Sequence, residues 1–192
     1  MAKKAEKDFK NDIVLASLAL AKAQGWNNVV LCDVARDVNL SLAELFDVIE
    51  DKTDILVLFG KMIDRRVLEV IGEGDASVTA RDQLFDILME RYEILNDYRD
   101  GLIAILESFR FDPKQAVISC PYLCRSMAWM LEAAGIETGG VRGALKVAGL
   151  TGLYVKTLRV WKDDESADLA KVMAALDKDL GRVEQFANTL GL

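Results

Sequence analysis

Between Val29 and Lys52 the chain reads VVLCDVARDVNLSLAELFDVIEDK, and few folds accept such a stretch. Two short amphipathic helices fit it, joined by Val38-Asn39-Leu40 alone, which leaves room only for a tight turn. Leu31, Val34 and Ala35 give the first helix one apolar face. Asn39 tolerates the left-handed backbone that such a turn needs. Ser41 stands where it caps the second helix, and Glu44 follows three residues later as its capping-box partner. Helix, tight turn and capped helix form the helix-turn-helix layout, whose second helix enters the major groove of DNA. The side chains oppose that use. From Ser41 to Asp51 there is no Lys or Arg, whereas Glu44, Asp47, Glu50 and Asp51 are acids.

The remainder of the chain points to an all-α fold. Only Pro113 and Pro121 interrupt 192 residues, and strand-like alternation is scarce. A hydrophobic share of 52% with 29% charged residues suits a globular chain with a sizeable core. No 18-residue apolar run is present, so no membrane span is expected. The start, MAKKAEKDFKND, is basic and has no apolar segment of the secretory kind, which makes the cytoplasm the expected location. With no histidine and only Cys32, Cys120 and Cys124, neither a mixed Cys/His metal site nor a histidine-assisted nucleophile can be built. No other catalytic constellation stands out, so the expectation is a protein that is not an enzyme and has no cofactor. Cys120 and Cys124, one turn apart, read as buried structural thiols. The net charge of −7 disfavours a broad electrostatic grip on nucleic acid. Four bases, Lys3, Lys4, Lys7 and Lys10, lie together near the N-terminus.

Taken in order, a first helix is expected from about Phe9 to Gln24, its stripe being Phe9, Ile13, Ala16 and Leu20. Gly25 ends it as a left-handed cap, and Trp26 closes over a small three-helix core. A longer helix runs from Lys52 to about Gly72, with Ile55, Phe59, Ile63, Arg66 and Val70 inward and Lys61, Asp64 and Arg65 outward. The break at Gly72-Glu73-Gly74-Asp75 divides the chain into a module at 1–52, a connecting helix at 53–74 and a body at 75–192. Five helices are expected in the body, at about 79–97, 101–109, 114–134, 141–161 and 166–190. Arg91 falls on the stripe formed by Leu84, Ile87, Leu88 and Leu95, and needs a buried acid. Pro121 should kink its helix. Leu88, Met89, Tyr92, Phe109, Phe111, Tyr122, Met127, Trp129 and Met130 are candidates for an apolar pocket, although such a stripe also serves as plain core. In the last helix Leu169, Met173, Leu176, Leu180 and Val183 repeat at alternating spacings of four and three, the seam of a helix packed along another. The seam is either internal packing or a dimer interface; Gly149 and Gly152 on the preceding helix allow close backbone approach and favour the dimer, with these seven positions in it.

Residues 13–59 resemble the tetracycline-repressor (TetR) family. Members show an apolar helix followed by Gly and an aromatic residue, here Gly25-Trp26, and then a segment like Leu31-Cys32-Asp33-Val34-Ala35. A turn like Asn39-Leu40-Ser41 comes next, followed by Leu45, Phe46 and Lys52, all without a gap. The resemblance implies about nine helices: an N-terminal helix-turn-helix module and a helical body that binds a ligand and dimerises through its last two helices. It also implies DNA contacts at Ser41, Leu42, Glu44, Phe46 and Lys52. At those positions the usual base is Leu42, the usual Thr is Glu44, the usual Tyr is Phe46, and the next residue is Asp47. Lys52, with the N-terminal lysines, is what remains for phosphate. The implied function is a ligand-responsive transcriptional regulator with degenerate DNA contacts. A looser resemblance, in the rhythm from Met127-Ala128-Trp129 through Ala134-Gly135 to the acidic loop, is to ubiquinone-biosynthesis accessory proteins. Those share the fold, bind isoprenoid lipids and do not read DNA.

Overall fold

The chain's structure, a computed structural model, describes residues 2–72, 77–110 and 113–190. Among the described residues there are nine α-helices and no strand. They are α1 (Ala2–Gln24), α2 (Leu31–Asp37), α3 (Leu42–Phe46), α4 (Lys52–Ile71), α5 (Ala80–Asn96), α6 (Arg99–Ser108), α7 (Pro113–Ala133), α8 (Gly140–Lys162) and α9 (Ala170–Leu190). A 3₁₀ turn at Trp26–Asn28 follows α1. Most boundaries fall within two residues of the expected ones. Helix α1 starts earlier, because the segment before Phe9 is rich in Ala, Lys and Glu, all strong helix formers. Helix α7 runs through Pro121. Of the Gly72-Glu73-Gly74-Asp75 break, only Gly72 lies inside the described residues, with φ 59°. No described helix is long and apolar enough to cross a membrane.

The chain forms two compact units, each drawn from two stretches of sequence. The first comprises 1–63 and 95–122. Its core forms where α1 meets α6 and α2. The buried face of α1 is Ile13, Val14, Ser17, Leu18 and Ala21; Phe9 is exposed, and Ala16 and Leu20 are half-buried. The Ser17 hydroxyl is buried, and it donates to the Ile13 carbonyl at 2.7 Å, one turn back. Gly101 lets α6 approach α1 closely: a Cβ there would lie 2.7 Å from the Leu18 carbonyl oxygen. Phe59 meets Tyr98 edge to face, with ring centroids 5.6 Å apart.

The second unit comprises 64–94 and 123–192. Here α8 and α9 pack along each other. The loop between them is organised by Asp164, which is buried although it is an acid. Its Oδ1 accepts from the Ser166 backbone N–H at 3.0 Å, and its Oδ2 accepts from the N–H groups of Lys171 (3.0 Å) and Val172 (3.1 Å). Burial works against its charge, but the Ser166 hydroxyl and these backbone donors hold its carboxyl down at about 2. These bonds satisfy orphan N–H groups of α9, which therefore starts at Ala170 and not at Ser166. Leu169, just before it, takes φ 52°. At the other end of α8, the first turn lies so close to Thr138 that only glycine fits at Gly143.

Candidate nucleic-acid interface

The helix-turn-helix geometry is complete. Helix α2 ends at Asp37, and Asn39 makes the turn with φ 56°. The Leu40 N–H then donates back to the Ala35 carbonyl at 2.8 Å. The Ser41 hydroxyl accepts from the Glu44 N–H at 3.2 Å, while Glu44 Oε2 accepts from the Ser41 N–H at 2.9 Å. That is the reciprocal capping box. Hydrogen bonds from the Ser41 backbone and hydroxyl hold the Glu44 carboxyl below its ordinary range, so it is ionised at neutral pH. Val34, Ala35, Leu45 and Ile49 are buried beneath, and they hold α2 and α3 in place.

Two more acids work at a helix start. Asp51 Oδ1 accepts from the Thr53 N–H at 2.6 Å, and Asp54 Oδ2 accepts from the Glu50 N–H at 2.8 Å. Their spacing of three, just ahead of an apolar helix, is a capping signal legible in the sequence. The acids after Ser41 are therefore partly explained as caps for α3 and α4. Their charge remains, and Asp47 and Glu50 are exposed beside them.

Lys52 has a different setting from the one the resemblance implies. Its ammonium donates to the carbonyls of Trp26 at 2.7 Å and Val29 at 3.1 Å, and lies 4.8 Å from the centre of the Trp26 indole. It thus serves as a cationic cap on the turn that joins α1 to α2. Two of its three protons are committed inside the module. Lys52→Met keeps the length of the stem and loses those bonds, so it is expected to destabilise the protein by about 2 kcal/mol. A thermal melt should show a fall of roughly 4–8 °C; an unchanged midpoint would refute the capping role. Arg36, the other base after Val29 in this stretch, pairs with Asp33 at 2.9 Å. Ser41 and Glu44 are engaged with each other, while Leu42 is 53% exposed and Phe46 is 69% exposed.

The pocket candidates do not fall in one place. Leu88, Met89, Tyr92, Met127 and Met130 are all buried in the second unit. Phe109 and Tyr122 belong to the first unit, half-buried and exposed respectively, and Trp129 is exposed. Phe111 lies outside the described residues. At the centre of the second unit, Arg91 is buried and its Nε donates to the Tyr154 hydroxyl at 3.0 Å. Its Nη1 pairs with Asp64, which also accepts from the Ser126 hydroxyl at 2.6 Å. Tyr92 stacks on Tyr154 with centroids 5.4 Å apart, and its hydroxyl donates to the Tyr154 carbonyl at 3.1 Å. Burial lowers the affinity of Arg91 for its proton, but Tyr154 and Asp64 outweigh this and hold the guanidinium charged. Burial also pushes the Tyr92 phenol up, so it stays neutral. The acid that Arg91 requires is Asp64, which helical spacing alone assigns to the outer face of α4.

Two further expectations need correction. Leu169, Leu176 and Leu180 are buried within the single chain, where α9 packs on α8, so they are not available to a partner. Met173 and Val183 are exposed, as are Gly149 and Gly152, whose Cβ positions face open space. Within the chain Val172, not Met173, shares the inward side of α9 with these three leucines. Cys32 and Cys120 are exposed and Cys124 is half-buried, so no pair of core thiols forms. Burial along the described part of α7 begins only at Ser126.

No family model matches the sequence, and no curated protein matches it either. Solved structures do resemble it. A TetR transcriptional regulator from Nitrosomonas europaea ATCC 19718 superposes with a TM-score of 0.69 at 21% identity, over 90% of this chain and 96% of that one. A TetR transcriptional regulator from Rhodococcus sp. RHA1 gives a TM-score of 0.62 at 18% identity, over 91% of this chain and 97% of that one. With its helix order, its capped helix-turn-helix and these superpositions, the chain has the fold of the TetR transcriptional regulators.

Proposed function

We propose that this chain is a TetR-like transcriptional regulator that works as a homodimer, with weak DNA contacts and an apolar small molecule as its signal. The observation that carries the reading is the intact helix-turn-helix, with its αL turn and capping box, inside a TetR fold that spans most of the chain. The dimer reading rests on α8. Its exposed positions Val141, Leu145, Ala148, Gly152 and Val155 repeat at spacings of four and three, and Val141 is 80% exposed. An uncovered apolar seam with small residues at its centre suits a close helix pairing between two copies. The ligand would enter among the buried side chains around Tyr92 and Met127. By favouring one arrangement of the two copies, it would shift the population that can reach DNA.

A second reading has its own support. Lys52 is held by backbone carbonyls, and the exposed part of α3 is apolar and acidic. This favours a protein that binds a lipid or a partner on the same scaffold and has given up DNA. One titration separates the two. Labelled duplexes from the flanking genomic sequence are titrated at about 20 mM and about 200 mM salt, with the oligomeric state read by sedimentation. The first reading expects a dimer that binds a duplex at low salt, and a Leu145→Glu variant that sediments as a monomer and loses that binding. If no duplex binds at low salt and lipid co-purifies with the protein, the second reading replaces the first.

A further inference from the structure

We infer that the exposed face of α3 docks a basic, amphipathic helical segment of another protein; this rests on the reading that the helix-turn-helix is the output surface. Leu42 and Phe46 stand one turn apart on the same side of α3, 53% and 69% exposed. The phenyl ring and the leucine beside it make a small apolar surface at the output end of the helix-turn-helix, of the kind that docks a partner. Around it the charge has one sign. Glu44, Asp47, Glu50 and Asp51 are exposed, and residues 41–51 include no base. The two nearest bases in sequence are already engaged, Arg36 with Asp33 and Lys52 with the Trp26 and Val29 carbonyls.

That composition selects the occupant. A nucleic acid brings phosphates to carboxylates, so this face holds it only weakly. A second copy of this chain brings the same acids and a net charge of −7. A helix with two apolar side chains one turn apart, flanked by Lys or Arg, satisfies both features at once: the apolar pair covers Leu42 and Phe46, and the bases meet the acids. The contact is small, so the complex is a transient one. In a regulator whose own grip on DNA is weak, such a partner would occupy the face that a duplex must use.

The test uses the full-length protein and a fluorescein-labelled amphipathic Leu/Lys peptide of about five helical turns, with a scrambled peptide of the same composition as control. Anisotropy gives the affinity, and amide shift perturbation locates the contact. Binding is expected to map to residues 41–51 and to be weakened about tenfold by Phe46→Ser. Asp47→Lys with Glu50→Lys should weaken it to a similar extent and remove most of its salt dependence. Both positions are exposed, so circular dichroism should match the parent. Equal binding of the scrambled peptide, shifts mapped elsewhere, or undiminished affinity in folded Phe46→Ser overturns the inference. A duplex that binds while the peptide does not sinks this inference alone; if neither binds, the output-surface reading falls with it.

Discussion

Asp64→Ala is expected to destabilise the protein by about 3–5 kcal/mol, because it leaves the Arg91 guanidinium buried without its counter-charge. The Arg91 side chain is 4% exposed and that of Asp64 15%, so solvent can do little to replace the lost partner. The same substitution strands the Ser126 hydroxyl, which donates to Asp64. A loss of this size is a large fraction of the roughly 5–15 kcal/mol that holds a domain folded. Urea unfolding would measure it as a lower midpoint at unchanged slope. The double variant Asp64→Ala with Arg91→Met should recover much of the loss, since it removes the orphaned charge together with its partner. A single-variant loss below about 1 kcal/mol would mean that the pair is well solvated and contributes as a surface pair does.

The second large effect is expected at Gly143. A Cβ built there would stand 2.0 Å from both the carbonyl carbon and the oxygen of Thr138, a backbone contact that no side-chain rotation can relieve. Gly143→Ala must therefore displace the start of α8 or the loop before it. The expected cost is about 3 kcal/mol, well above the ~1 kcal/mol that alanine normally gains over glycine inside a helix. Gly149 and Gly152 provide the contrast. Nothing lies within 4 Å of their Cβ positions in the single chain. Alanine at either should stabilise an isolated chain slightly, and it should weaken self-association if two α8 helices meet there. Thermal unfolding of all three variants, read beside sedimentation, separates these roles. A neutral Gly143→Ala would contradict the close approach at Thr138.

Local features were legible from the residues. Asn39 at the turn, Ser41 with Glu44 at the cap, Gly25 after α1 and the start of α4 at Lys52 all stand where short-range spacing places them. Each depends on bonds that span at most four or five residues, and residue chemistry decides such bonds directly. The candidate DNA face was legible to the same depth. The acidic character of residues 41–51 is a sequence fact and the Asp51/Asp54 spacing signals a cap, but which backbone N–H groups these carboxylates accept from is set by the backbone geometry.

What the sequence determined by itself was the helical class, the helix-turn-helix and the shortage of donors on α3, because periodicity and capping act within a few residues. The tertiary structure alone decided which of several similar faces is inward. Asp64 shares its helix side with charged neighbours in the pattern, yet it turns to Arg91 from 27 residues away. Leu169, Leu176 and Leu180 have a rhythm that fits a partner chain as well as a neighbouring helix, and α8 of the same chain takes them. Lys52 would suit a phosphate by its charge, but two carbonyls 23 and 26 residues earlier in the chain hold it first. A side chain's own chemistry states what kind of partner it needs; which partner it meets depends on long-range packing, which no local pattern encodes.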